Sequence, residues 1–131
     1  MKKIIFLLSV SFALADIAGA QKLKSATGNT IGFIENGKVK SSKGNTIGYI
    51  EEDRIKNSTG NTIGFYKDGR IQNSKGNTIG FYKEGRVQNS NGNTIGFVAN
   101  GRVKNSKGNT IGLYEGVAEF HVSLYFFFFF H

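Results

Sequence analysis

The stretch that decides the fold is Gly60-Asn61-Thr62-Ile63-Gly64-Phe65-Tyr66-Lys67-Asp68-Gly69-Arg70-Ile71-Gln72-Asn73-Ser74-Lys75. It holds two short segments rich in Thr, Ile, Phe and Tyr, which favour strands, separated by tight turns. Asp68-Gly69 is a two-residue hairpin signal, because a type I′ turn needs positive φ at both central residues. Lys75-Gly76, flanked by Ser74 and Asn77, supplies the second turn. The segments read as an A strand over 62–66 and a B strand over 70–73. Helix is excluded, since a Gly every five to seven residues costs about 1 kcal/mol each and no 3.6-residue apolar stripe survives the turns.

A two-residue turn at Asp68-Gly69 places Tyr66 opposite Ile71 and Phe65 opposite Gln72. Ile63, Phe65 and Gln72 then share one face, and Thr62, Gly64, Tyr66 and Ile71 the other. Neither face is purely polar, so the sheet is expected to curl or stack and bury part of both. Gly64 inside the A strand fits a bend or a close backbone approach, opposite a B-strand Ile or Val.

The phrase is repeated along the chain. Gly-Asn-Thr-Ile-Gly begins at Gly28, Gly44, Gly60, Gly76, Gly92 and Gly108, 16 residues apart without insertion. The hairpin turn recurs as Asn36-Gly37, Glu84-Gly85 and Asn100-Gly101. Only the second unit departs, with Glu52-Asp53 in that place. Asp tolerates the left-handed region better than most residues, so the same turn is expected there at some cost. The repeats open on a B strand, 22–25, and close on an A strand, 110–114, which leaves two complementary edges. Pairing first with last removes both. The expected fold is all-β: tandem 16-residue β-hairpin repeats over 21–116, arranged as a closed ring, flower- or propeller-like.

Two segments flank the repeats. Residues 1–20 carry Lys2 and Lys3, an apolar run over 4–15 and the small pair Ala18 and Ala20, which is the grammar of a secretory signal peptide. Asp16 ends that run short of the roughly 20 apolar residues that a membrane span needs. Residues 117–131 form an apolar tail. Phe120, Val122 and Leu124 alternate with Glu119, His121 and Ser123, a period of two that predicts a half-buried strand, and Phe126 to Phe130 follow. A strand or plug completing the core is expected, because five exposed Phe would invite aggregation. An exposed membrane- or partner-binding tail is the alternative. The tail is too short for a transmembrane helix.

The chemistry-bearing residues are few. Cys, Pro and Trp are absent, and the two His, His121 and His131, lie in the tail. Glu35, Glu51, Glu52, Asp53, Asp68 and Glu84 fall at hairpin turns, where acidic residues serve conformation. Glu51-Glu52-Asp53 lacks the spacing of a calcium loop. No catalytic, cofactor-binding or metal-ligating residue is therefore assigned, and no cofactor is expected. Asn61, Asn77, Tyr66 and Tyr82 are candidate ligand-binding residues, repeated side chains able to meet sugar hydroxyls multivalently. Turn formation is the better account of the Asn residues. The net charge of +8 is spread over every repeat instead of clustered. Nucleic acid is not expected as a partner; a cell-envelope or glycan partner is compatible.

The tandem 16-residue hairpins behind a leader, the Gly-Asn-Thr-Ile-Gly phrase and the apolar C-terminal tail resemble the small exported bacterial β-flower proteins, in particular the five-fold group. The resemblance covers Lys22 to about Gly116. It implies hairpins set like petals around an axis and no established activity, so it transfers no functional residue. Six hairpins do not map simply onto five petals, which leaves five- or six-fold closure open. The expected function is that of a non-catalytic exported protein (periplasm, outer-membrane surface or secreted) with a structural or interaction role; the alternative is a carbohydrate-binding module.

Overall fold

The computed structural model describes residues 21–130; the leader expected over 1–20 lies outside them. Twelve strands follow one another: β1 (Lys22–Ser25), β2 (Thr30–Glu35), β3 (Lys38–Ser41), β4 (Thr46–Glu51), β5 (Arg54–Asn57), β6 (Thr62–Lys67), β7 (Arg70–Asn73), β8 (Thr78–Lys83), β9 (Arg86–Asn89), β10 (Thr94–Ala99), β11 (Arg102–Asn105) and β12 (Thr110–Glu115). Each pairs antiparallel with its neighbour in sequence, and β1 pairs with β12, so the sheet is a closed barrel. Closure is six-fold: six A strands alternate with six B strands, and no edge is left exposed.

The hairpin register is the one parity predicts, with Phe65 opposite Gln72 and Tyr66 opposite Ile71. On its other side Gly64 faces Ile55 of the preceding hairpin. Four hairpin turns place both central residues at positive φ, as in Asp68 (51°) and Gly69 (84°). Glu52-Asp53 differs from expectation. Neither residue adopts positive φ, yet Glu51 still pairs with Arg54. Without a Gly, the loop keeps its two-residue length by staying in the right-handed half of φ space.

At the opposite rim, each B strand turns into the next A strand over five residues. Asn57 N–H donates to the Asn61 carbonyl (2.9 Å), Gly60 N–H donates to the Asn57 carbonyl (3.0 Å), and Gly60 sits at φ 89°. The register slips just beyond this turn, where Ile55 faces Gly64 but Lys56 faces Thr62. Ile63 is thus the extra residue of a β-bulge, and bulges re-aim side chains. This corrects the face assignment: Ile63 and its counterparts Ile31, Ile47, Ile79 and Ile95 are half-buried and pack against the core, while Phe65 and Gln72 stay on the outer wall.

The barrel interior is layered. The B-strand residues Leu23, Val39, Ile55, Ile71, Val87 and Val103 are fully buried. Toward the hairpin-turn mouth lie Ile34, Ile50, Tyr82, Val98 and Tyr114, also buried. The tail fills the axis, but not as a strand. Glu119–Ser123 form a short α-helix, α1, which runs into a π-helical segment over Leu124–Phe129. The two-residue alternation misleads because the tail has no sheet edge to join; every strand already has two partners. With no partner strand, its backbone hydrogen bonds must be made within the segment, and a helix makes them.

Turn chemistry makes a stability contrast. A Cβ on Gly69 would lie 3.0 Å from the Tyr82 carbonyl oxygen, at a φ that β-branched residues resist. Gly69→Val should cost more than about 1 kcal/mol in denaturant melts. Asp53→Gly, where no positive φ is adopted, should change stability by less than about 1 kcal/mol.

Candidate functional site

The tail meets the barrel one residue per hairpin. A side chain built on the A-strand glycines would strike Phe126 at Gly112, Phe127 at Gly96, Phe128 at Gly80, Phe129 at Gly64 and Phe130 at Gly48, and would meet the Tyr125 hydroxyl at Gly32. Six consecutive aromatic residues thus serve six hairpins, in ring order. An α-helix turns about 100° per residue, whereas neighbouring hairpins in a closed ring of six stand about 60° apart. The π-helical segment, with its i→i+5 bonds, is wider and turns less per residue, which lets consecutive side chains reach consecutive hairpins.

At Gly80 a Cβ would lie 2.5 Å from the Phe128 ring and 2.6 Å from the Gln88 carbonyl oxygen. The ring occupies the space that any other residue would fill. Gly80→Ala should therefore cost about 1–3 kcal/mol through overpacking. In a cycle with Phe128→Ala the two losses should be non-additive, and thermal melts of the four proteins measure the coupling.

The hairpin-turn mouth is closed by α1. Tyr114 Oη donates to Glu119 Oε2 (2.9 Å) and Tyr82 Oη donates to Glu119 Oε1 (3.3 Å). Phe120 stacks on Tyr66 with ring centroids 4.4 Å apart. Burial, and then the Glu119 carboxylate that accepts its hydrogen bond, push the Tyr114 phenol up to about 12. Burial, followed by the negative charge of Glu119, likewise raises Tyr82. Burial lowers His121, which lines a cavity of about 250 Å³ with Ile34 and Asn36. A phenol held above its ordinary 10.0 stabilises the fold fully below that pH and loses the contribution as pH rises through the folded value. Stability should therefore fall between about pH 10 and 12. Glu119→Gln should lower the Tyr114 midpoint in an ultraviolet phenolate titration.

The four candidate ligand residues are not brought together. Asn61 and Asn77 sit on the rim opposite α1, exposed, with backbone N–H groups donating to Asn57 Oδ1 and Asn73 Oδ1 (both 3.0 Å). Asn61 Nδ2 also donates to Thr59 Oγ1 (3.2 Å). Tyr66 and Tyr82 lie at the α1 mouth, five residues or about 16 Å further along the strand. Among the described residues no group of three or more His, Asp or Glu is placed to hold a metal ion, and no helix is long and apolar enough to cross a membrane.

The outer wall carries a pattern that the sequence reading touched without using. Phe65 lies between Arg54 and Gln72, Phe81 between Arg70 and Gln88, and Phe97 between Arg86 and Lys104. Phe97, Arg102 and Lys104 line an open groove of about 450 Å³. Elsewhere on the wall, Lys40 pairs with Glu35 (3.4 Å), Lys56 with Glu51 (2.9 Å) and Lys24 with Glu115 (2.7 Å). The parity that put Phe65 beside Gln72 was the available signal.

A six-hairpin barrel plugged by its own tail, whose one cluster of titratable side chains among the described residues, Tyr82, Tyr114 and Glu119, fastens that tail, defines a repeat protein built around its own C-terminus. The chain belongs to the 5-fold beta-flower protein family, whose profile matches residues 20–131. Its six hairpins, each matched by one aromatic side chain, give this member six-fold closure. No curated protein and no solved structure is significantly similar to the chain.

Proposed function

We propose that this is an exported, non-catalytic protein that works through its outer surfaces, in a structural or interaction role. One observation carries the reading: the barrel axis is filled by the chain's own tail, with Val122, Ser123 and Leu124 all fully buried. A hydrolase needs a pocket with a positioned acid or base, and the carboxylate that α1 carries, Glu119, is engaged by two tyrosine hydroxyls. Export rests on the leader grammar of residues 1–20. Signal peptidase cleavage after Ala20 would leave Gln21 at the N-terminus, which mass spectrometry of exported protein checks; an intact Met1 would overturn it.

Carbohydrate binding is the second reading. It is favoured by the groove of Phe97, Arg102 and Lys104 and by wall positions that repeat every two strands, about 10 Å apart. Tyr66 and Tyr82 support it less, being held by Phe120 and Glu119. A glycan array tests it. Binding weakened by Phe97→Ala supports the wall as the site, and a blank array leaves the structural role.

A further inference from the structure

The two mouths of the barrel differ in charge and in polarity. Every Asp and Glu of residues 21–130 lies at the hairpin-turn mouth or on α1 above it, where Lys and Arg balance them. The opposite rim, formed by the turns from B strand to A strand, carries no acidic residue. It presents Lys43, Lys75 and Lys107, all exposed, one on every second turn and so spaced three-fold around the mouth.

Within that rim the surface is apolar. Phe126 to Phe130 are each half-buried, not fully buried like Val122 and Leu124 above them. With α1 covering the other mouth, their exposed ring faces open on the lysine side. The bulged isoleucines pack against the same core, and Ile111 is the most exposed large apolar residue of the described chain at 37%. An apolar floor of five aromatic rings inside a ring of cations is a composition that favours the interface of an anionic membrane, where apolar groups sink to the acyl boundary and lysines meet phosphates. A second copy facing the first would oppose two rings of like charge. A polysaccharide would leave the phenylalanine floor unused. The strands, of four and six residues, are shorter than the roughly 9–11 residues of a spanning strand, so the contact is with the surface.

We propose that the mouth opposite α1 docks on an anionic lipid bilayer, with Lys43, Lys75 and Lys107 at the headgroups and the Ile111 and Phe126–Phe130 surface against the acyl boundary. This goes beyond the reading above and needs neither a glycan nor an export route. Residues 21–131 contain every strand, the closing pair and the plug, and flotation with vesicles of phosphatidylcholine, alone or mixed with phosphatidylglycerol, tests them. Binding is expected on the mixed vesicles only. Lys43→Glu/Lys75→Glu/Lys107→Glu should weaken it at least about a hundredfold, since loss of each lysine's charge alone is worth on the order of fivefold. Lys38→Glu/Lys67→Glu/Lys83→Glu, an equal charge change at the other mouth, should leave it within about twofold of the parent. The chain has no Trp, so Ile111→Trp reports the environment directly, and its emission should shift to the blue on the mixed vesicles. Circular dichroism confirms that each variant is folded. Equal losses for both charge variants, or an unshifted Trp, would overturn the proposal. So would equal capture by dextran sulfate, which would place an anionic polymer on the wall, or a dimer abolished by Ile111→Asn, which would place a second copy on the mouth.

Discussion

The structure depends on aromatic rings packed against bare backbone. Each hairpin offers one glycine where its A strand faces the axis, and the tail offers one ring to each. A barrel of 12 strands is too wide for its own aliphatic side chains to fill to the axis. Eight strands already leave an interior that side chains just fill. Removing the Cβ at six positions and inserting six rings solves the volume problem, because the rings reach from the centre to the wall. The same contacts count the hairpins. A ring of five would leave one aromatic residue without a glycine, and a ring of seven one glycine without an aromatic.

That dependence explains the division between the two mouths. The tail leaves β12 at the hairpin-turn end, crosses it as α1, and descends toward the other rim. Glu119 is fastened to Tyr82 and Tyr114 at the point of entry, and Phe120 to Tyr66. One mouth is therefore sealed by specific polar and stacking contacts. The other ends in the rings themselves, half covered. The tail gives the two mouths different covers, and the acidic residues of 21–130 all lie on the sealed side.

The outer wall varies more than the interior. The six fully buried B-strand positions admit only Leu, Ile and Val, since each faces a glycine and a tail ring and must fill a fixed volume. The positions that meet solvent differ from unit to unit: Glu35 and Glu51 give way to Lys67, Lys83 and Ala99 at the same place in the hairpin. Ion pairs with Lys40 and Lys56 therefore occur in the first two hairpins and not in the next three. Whatever distinguishes one part of the circumference from another is written there.

The sequence by itself determined the hairpins. A 16-residue interval, the Gly at all turns but Glu52-Asp53 and the residue parity are local facts, and strand limits, the hairpin register and the pairing of β1 with β12 follow from them. Six A-strand glycines stand in the sequence, yet five- or six-fold closure stayed open, because nothing local says that they meet the aromatics Tyr125 to Phe130. Tertiary structure alone decided the rest. The tail's two-residue alternation suggested a strand, but a closed sheet offers no edge, so the backbone had to satisfy itself as a helix. Parity put Ile63 on one face with Phe65 and Gln72, and a bulge, set by how adjacent hairpins pack, separated it from them. Asn61 and Tyr66 were grouped by repetition, and the length of the strand between them sets them at opposite mouths. Local propensity acts over a few residues; closure, plugging and the separation of the mouths arise from contacts between residues up to about ninety positions apart, such as Leu23 with Tyr114.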